Sequence, residues 1–152
     1  MPHESKCSPR EIQSYLNRIS GPLLDRIDLH VEVPAVKFRE MAAARTGESS
    51  AQIRERVVAA RRHQLARFKH KPQITCNAHM GTRDIRQFCP IEESTLEQLK
   101  MAMNEMNLSA RAYDRILKVA RTIADLAGSD GITADHVSEA IQYRSLDRQL
   151  WG

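Results

Sequence analysis

Three arginines and one basic stretch hold most of the chemistry that this chain can offer. Arg26 ends Leu23-Leu24-Asp25-Arg26, between a Ser20-Gly21-Pro22 break and an alternating apolar run. A guanidinium is planar, permanently charged and matched to phosphate oxygens. Held at a helix-to-strand junction, it suits the stabilisation of charge on a transferring phosphoryl group. The same spacing also allows a plainer use, a surface pair with Asp25 or Asp28. Arg111 falls in the first turn after a Ser109 cap, where the helix dipole disfavours a cation. Arg115, one turn later, is a supporting contact or a solvated charge. Between Arg54 and Lys71 stand seven Lys or Arg residues against Glu55 alone. Of these, Arg61, Arg62, Arg67, Lys69 and Lys71 could meet DNA phosphates in a salt-dependent, sequence-independent way. A solvated face, or one paired with an acidic neighbouring subunit, accounts for them equally.

The cysteines offer less. An odd count of three, Cys7, Cys76 and Cys89, argues against a disulfide framework and against secretion. Cys76, His79 and Cys89 lie near one another, but without a Cys-x2-Cys pair or a fourth ligand they do not read as zinc. No metal is expected. The Met101, Met103 and Met106 stripe reads as core packing, with Met101 available to an interface.

The elements that position these residues are mostly helices. Ser8-Pro9-Arg10-Glu11 is a capping box with proline at the first helical position. Ile12, Tyr15, Leu16 and Ile19 then supply one apolar stripe up to Gly21-Pro22. Ile27, Leu29, Val31 and Val33 alternate with Asp28, His30 and Glu32, which predicts a strand with one buried face, stopped by Pro34. A lone strand is not stable by itself, so its sheet is expected to lie outside this chain. A short helix is expected over 38–44 and a long one over 51–69, the latter behind a Ser49–Gln52 capping box. Residues 72–91 read as a connection with a helical turn at 82–88. Helices over about 92–106, 110–127 and 134–144 follow, with Gly128 as a stop signal. The fold class is therefore mainly α.

With 41% apolar residues and a formal charge of +4 in 152 residues, the chain can bury a core and tolerates an anionic partner. It has no apolar run of membrane-spanning length and no hydrophobic signal region near Met1. The expectation is a soluble cytoplasmic protein without a membrane partner.

Three segments carry a resemblance. Ser-Gly-Pro-Leu-Leu-Asp-Arg-Ile-Asp at 20–28, LSARAYDRILKVARTIADLAG at 108–128 and ITADHVSEAIQYR at 132–144 resemble the C-terminal part of magnesium chelatase-like AAA+ ATPases. The likeness points to the group of the competence protein ComM, in which a Cys-Ser-Pro segment precedes the first helix, as Cys7-Ser8-Pro9 does here. It covers essentially residues 7–148.

The resemblance implies a helical AAA+ lid bundle preceded by the last helix and strand of a truncated ATPase core. The implied divisions are 1–34 for the core remnant, 35–91 for an inserted region with the basic helix, and 92–152 for a three-helix lid. Arg26 becomes an arginine finger acting in trans, and Arg111 becomes sensor 2, in cis or in trans. The implied partners are the missing N-terminal core, further subunits of a ring, a hexamer by the resemblance, and DNA, remodelled by branch migration. ATP and magnesium are implied for the intact protein. The chain itself has no G-x-x-x-x-G-K-[ST] loop and no strand ending in Asp-Glu, so it is expected to bind neither and to hydrolyse nothing alone. Other readings are a free-standing helical module that binds DNA or protein, and a subunit of a true magnesium chelatase.

Overall fold

The computed structural model describes residues 7–16, 18, 26–33 and 47–144. The Ser20–Asp25 motif, the helix expected over 38–44 and the strand stop at Pro34 lie outside the described residues.

Helix α1 (Pro9–Leu16) starts as its capping box requires. The Ser8 amide and hydroxyl both donate to the Glu11 carboxylate, at 2.7 and 2.8 Å. Helix α2 (Ser50–Arg67) begins with the same device, Ser49 N–H donating to Gln52 Oε1 at 3.0 Å and Gln52 N–H to Ser49 Oγ at 3.3 Å. Reciprocal capping satisfies backbone donors that the first turn otherwise leaves without partners.

A 3-10 turn (Asn77–His79) and α3 (Thr82–Phe88) break the 72–91 connection. Then come α4 (Glu93–Glu105), α5 (Ala110–Leu126) and α6 (Ala134–Gln142). Each expected helix within the described residues is present; α1 ends at Leu16, short of the expected Gly21-Pro22 stop, and the ends of the others are displaced by at most two residues.

Two helices stop in the same way. After α5, Gly128 takes a φ of +68° while Ser129 N–H reaches Ala124 O at 2.8 Å and Gly128 N–H reaches Asp125 O at 3.2 Å. After α4, Asn107 takes a φ of 50°, Leu108 N–H reaches Met103 O at 2.9 Å and Asn107 N–H reaches Asn104 O at 3.3 Å. These pairs of bonds are Schellman endings, with the left-handed residue supplied by glycine or asparagine.

Helix α5 is the axis of the fold. It packs against α2, the 3-10 turn, α3 and α6, while α4 also meets α6. One hydrophobic core joins Phe68, Met80, Ile85 and Cys89 to Leu99, Ile116, Leu117, Ala120, Ala124, Val137 and Ala140. The core therefore runs across the boundary at residue 91. Phe68 and Phe88 meet edge to face at 5.4 Å.

Two details of burial differ from the pattern. On α2 only Ala60 and Gln64 are buried, with Phe68 buried just after it, while the apolar Ile53, Val57 and Leu65 are exposed. Residues 27–33 form no strand ladder among the described residues. Ile27, Leu29, Val31 and Val33 are exposed there, and His30 is buried at 5% exposure. In both places the apolar side chains are left largely open by the described elements.

Candidate functional site

Segment 26–33 meets the N-terminal half of α5 and the residues that follow α6. Arg26 is exposed, and no ion pair among the described residues engages it. The residues that follow are fastened in turn. Arg144 Nη1 donates to Ile27 O, Asp28 Oδ1 accepts from Arg115 Nη1 at 2.6 Å, and His30 N–H donates to Tyr143 O at 2.8 Å. Arg144 is among the most deeply buried side chains, at 1% exposure.

Ser109 caps α5, its hydroxyl accepting from Ala112 N–H at 3.3 Å. This sets Arg111 on the first turn, exposed and without an ion pair among the described residues. Arg115 and Lys118 continue the same face. Lys118 Nζ donates to Ala78 O at 3.0 Å. Below them a cavity of about 270 Å³ opens between segment 28–29, α5 and α6, with Leu29, Val119, Ile123 and Leu126 as apolar wall and Arg115, Glu139 and Tyr143 at its polar parts.

The basic residues separate into two groups. Arg67 sits on the α2 face that carries Ala60 and Gln64. Its guanidinium holds Asp125 through two bonds of 2.8 and 2.5 Å, and Asn77 Oδ1 at 3.0 Å. Asp125 also accepts from Asn77 Nδ2 at 2.8 Å and Arg121 Nε at 3.1 Å. Arg121 spends its remaining donors on the carbonyls of Ser129 and Asp130. Burial presses the Asp125 carboxyl upward, but the Arg67 and Asn77 hydrogen bonds and the nearby cations outweigh it and leave the pKa below the ordinary value.

Lys71 is paired with Asp84, lies over the Phe88 ring at 5.1 Å, and holds that carboxyl below its usual range, with help from the Gly81 amide. Arg67 and Lys71 thus serve contacts within the chain. Arg61, Arg62 and Lys69 face solvent, Arg61 with a 3.2 Å bond to Gln64 Oε1.

Among the described residues no three His, Cys, Asp or Glu side chains come together to hold a metal ion. Cys89 is packed in the core, where burial pushes its thiol up to about 11. No helix is long and apolar enough to cross a membrane among the described residues.

Four polar residues of this arrangement escaped the sequence reading: Asp28 as a partner of Arg115, and the buried Arg121, Asp125 and Arg144. Arg121 and Asp125 continue the α5 stripe of Leu117, Ala120 and Ala124 at helical spacing, a signal hidden by their charge.

A helical bundle with this cap, this α5 face and this preceding segment belongs to a defined class. Residues 47–144 match the family described as magnesium chelatase, subunit ChlI C-terminal, and residues 1–41 match magnesium chelatase, subunit ChlI. The chain belongs to the magnesium chelatase ChlI C-terminal family. It is 43% identical over 97% of its length to the YifB protein of Escherichia coli K12, and 42% identical over 96% to the competence protein ComM of Haemophilus influenzae. A protein of Mycobacterium tuberculosis H37Rv is 36% identical over 94% of the chain. The chain spans 28% of the length of each of these relatives.

Proposed function

We propose that this chain is the lid-bearing C-terminal part of a ring-forming AAA+ ATPase of the ComM kind. The observation that carries the reading is a division among the arginines around α5. Arg115, Arg121 and Arg144 are engaged within the chain, while Arg26 and Arg111 are exposed and enter no ion pair among the described residues. Two exposed guanidiniums without an ion pair among the described residues fit contact with the phosphates of ATP. When bound, the nucleotide would supply the phosphoryl group, and its cradle would lie in the N-terminal core that the longer relatives have room for.

In this reading Arg26 is the arginine finger, reaching a neighbouring subunit's nucleotide, and Arg111 is sensor 2. Both stabilise charge that develops on the transferred group. The ring, with six subunits as the working number, acts on DNA in the cytoplasm and drives branch migration. The name of the Haemophilus relative, a competence protein, supports a DNA substrate. Arg61, Arg62 and Lys69 on the exposed side of α2 are suited to phosphate contacts that track salt rather than sequence.

The test is steady-state ATPase activity of the intact protein. Arg26→Ala should lower kcat by about 10³–10⁵, the range of an arginine supplied in trans. Unchanged kcat in a normally folded variant rejects the finger assignment.

A further inference from the structure

Segment 26–33 is anchored to the last two helices at closely spaced points. Ile27 O is held by the buried Arg144, Asp28 by Arg115 at 2.6 Å, and the His30 amide by Tyr143 O at 2.8 Å. Asp28 lies two residues from Arg26. Arg115 lies four residues from Arg111, one turn along the same rigid helix. The two exposed arginines are therefore joined by a short path, Arg26–Asp28–Arg115–Arg111, whose central link is a single ion pair. The side chains of that link keep 23% and 55% exposure, and ion pairs at such sites contribute little to stability. Its place in the path gives it a use that its strength does not.

We infer that Arg115 is a positioning residue: through Asp28 it makes the Arg26 segment move with α5. The inference rests on the proposed roles of Arg26 and Arg111. It also decides between the two uses of Arg115 that the sequence leaves open, since a guanidinium directed at Asp28 supports the finger rather than a phosphate. A nucleotide that draws in Arg111 displaces α5, and the Asp28–Arg115 link carries that displacement to Arg26. Contacts with two nucleotides then reside on one body, and occupancy of one site sets the finger for another. Such coupling requires that each nucleotide make different contacts in the two positions of this body.

The experiment compares Asp28→Asn, Arg115→Gln and the exchanged pair Asp28→Arg with Arg115→Asp in the intact ATPase, with Arg26→Ala as reference. Each single variant should lower kcat about tenfold, within the ~5–150-fold span of such couplings, with KM for ATP nearly unchanged. The exchanged pair should recover most of the loss. Hydrogen exchange at the His30 amide, read without ATP, should quicken in Arg115→Gln. A raised KM in Arg115→Gln with no recovery in the exchanged pair would make Arg115 a nucleotide ligand and overturn the inference. Full kcat in both single variants while Arg26→Ala is inactive overturns the coupling alone. Full kcat in Arg26→Ala overturns the finger reading, and the coupling with it.

Discussion

Arg67 grips Asp125 across 58 residues of sequence with a two-pronged ion pair at 2.8 and 2.5 Å. The contact locks the end of α2 to the last turn of α5, and Asn77 and Arg121 complete it. Two arginines are drawn below the surface by one carboxylate.

Removing that carboxylate leaves both cations without compensation. Asp125→Ala is expected to destabilise the bundle by about 3–5 kcal/mol, the usual cost of breaking a buried pair from one side. Urea unfolding followed by circular dichroism measures it. A loss below about 1 kcal/mol would mean that water replaces the carboxylate freely.

The same residue sets an acid limit. The folded state holds the Asp125 carboxyl below the ordinary value of about 3.9. A depressed carboxylate contributes its stability above the unfolded value and loses it as pH falls through the folded one. Unfolding free energy should therefore decline below about pH 4, and this part of the decline should vanish in Asp125→Asn. A pH series of denaturant melts on both proteins decides it.

Gly128 has open space where a Cβ would stand, so its substitution carries a backbone cost alone. At a φ of +68°, Gly128→Ala is expected to lower stability by about 1–2 kcal/mol, the left-handed penalty of an L-residue. Thermal unfolding reads the change, and Asn at the same position should lose less, as Asn107 already serves at the end of α4.

Salt dependence separates the basic residues. Arg61→Ala and Arg62→Ala should each flatten the slope of log affinity for duplex DNA against log salt by about one counterion, without shifting the thermal transition. Arg67→Ala should instead lower the transition, because its guanidinium is bound to Asp125. A DNA titration over several salt concentrations, beside a melt, distinguishes them; an unchanged slope in both surface variants removes α2 from the DNA reading.

The helices were legible because their ends carry side-chain chemistry. Ser8–Glu11, Ser49–Gln52, Ser109 and Gly128 mark boundaries that the structure keeps to within two residues. Asn107 was not read as a stop, since only its φ of 50° reveals the second Schellman ending. The site was legible in part. Local pattern picked out Arg26 and Arg111, but their neighbours depend on contacts between distant residues, such as Asp28 with Arg115 and Arg67 with Asp125. Charge also misled: Arg67 was counted with the solvent-facing cations, although it lies seven residues after Ala60 and so on the same face. Segment 27–33 shows the converse, an alternation whose apolar side chains stay exposed while His30 is covered.

From Ser50 to Ala59 every residue of α2 is exposed, so this half-helix is an arm measured by its length alone. Each residue adds about 1.5 Å to its reach and turns its tip by about 100°. An insertion of seven residues would extend the arm by about 10 Å and keep Arg54 above Arg61, whereas two residues would swing the tip to the opposite side. Length and direction at the far end can thus be retuned by insertions or deletions that never touch the core.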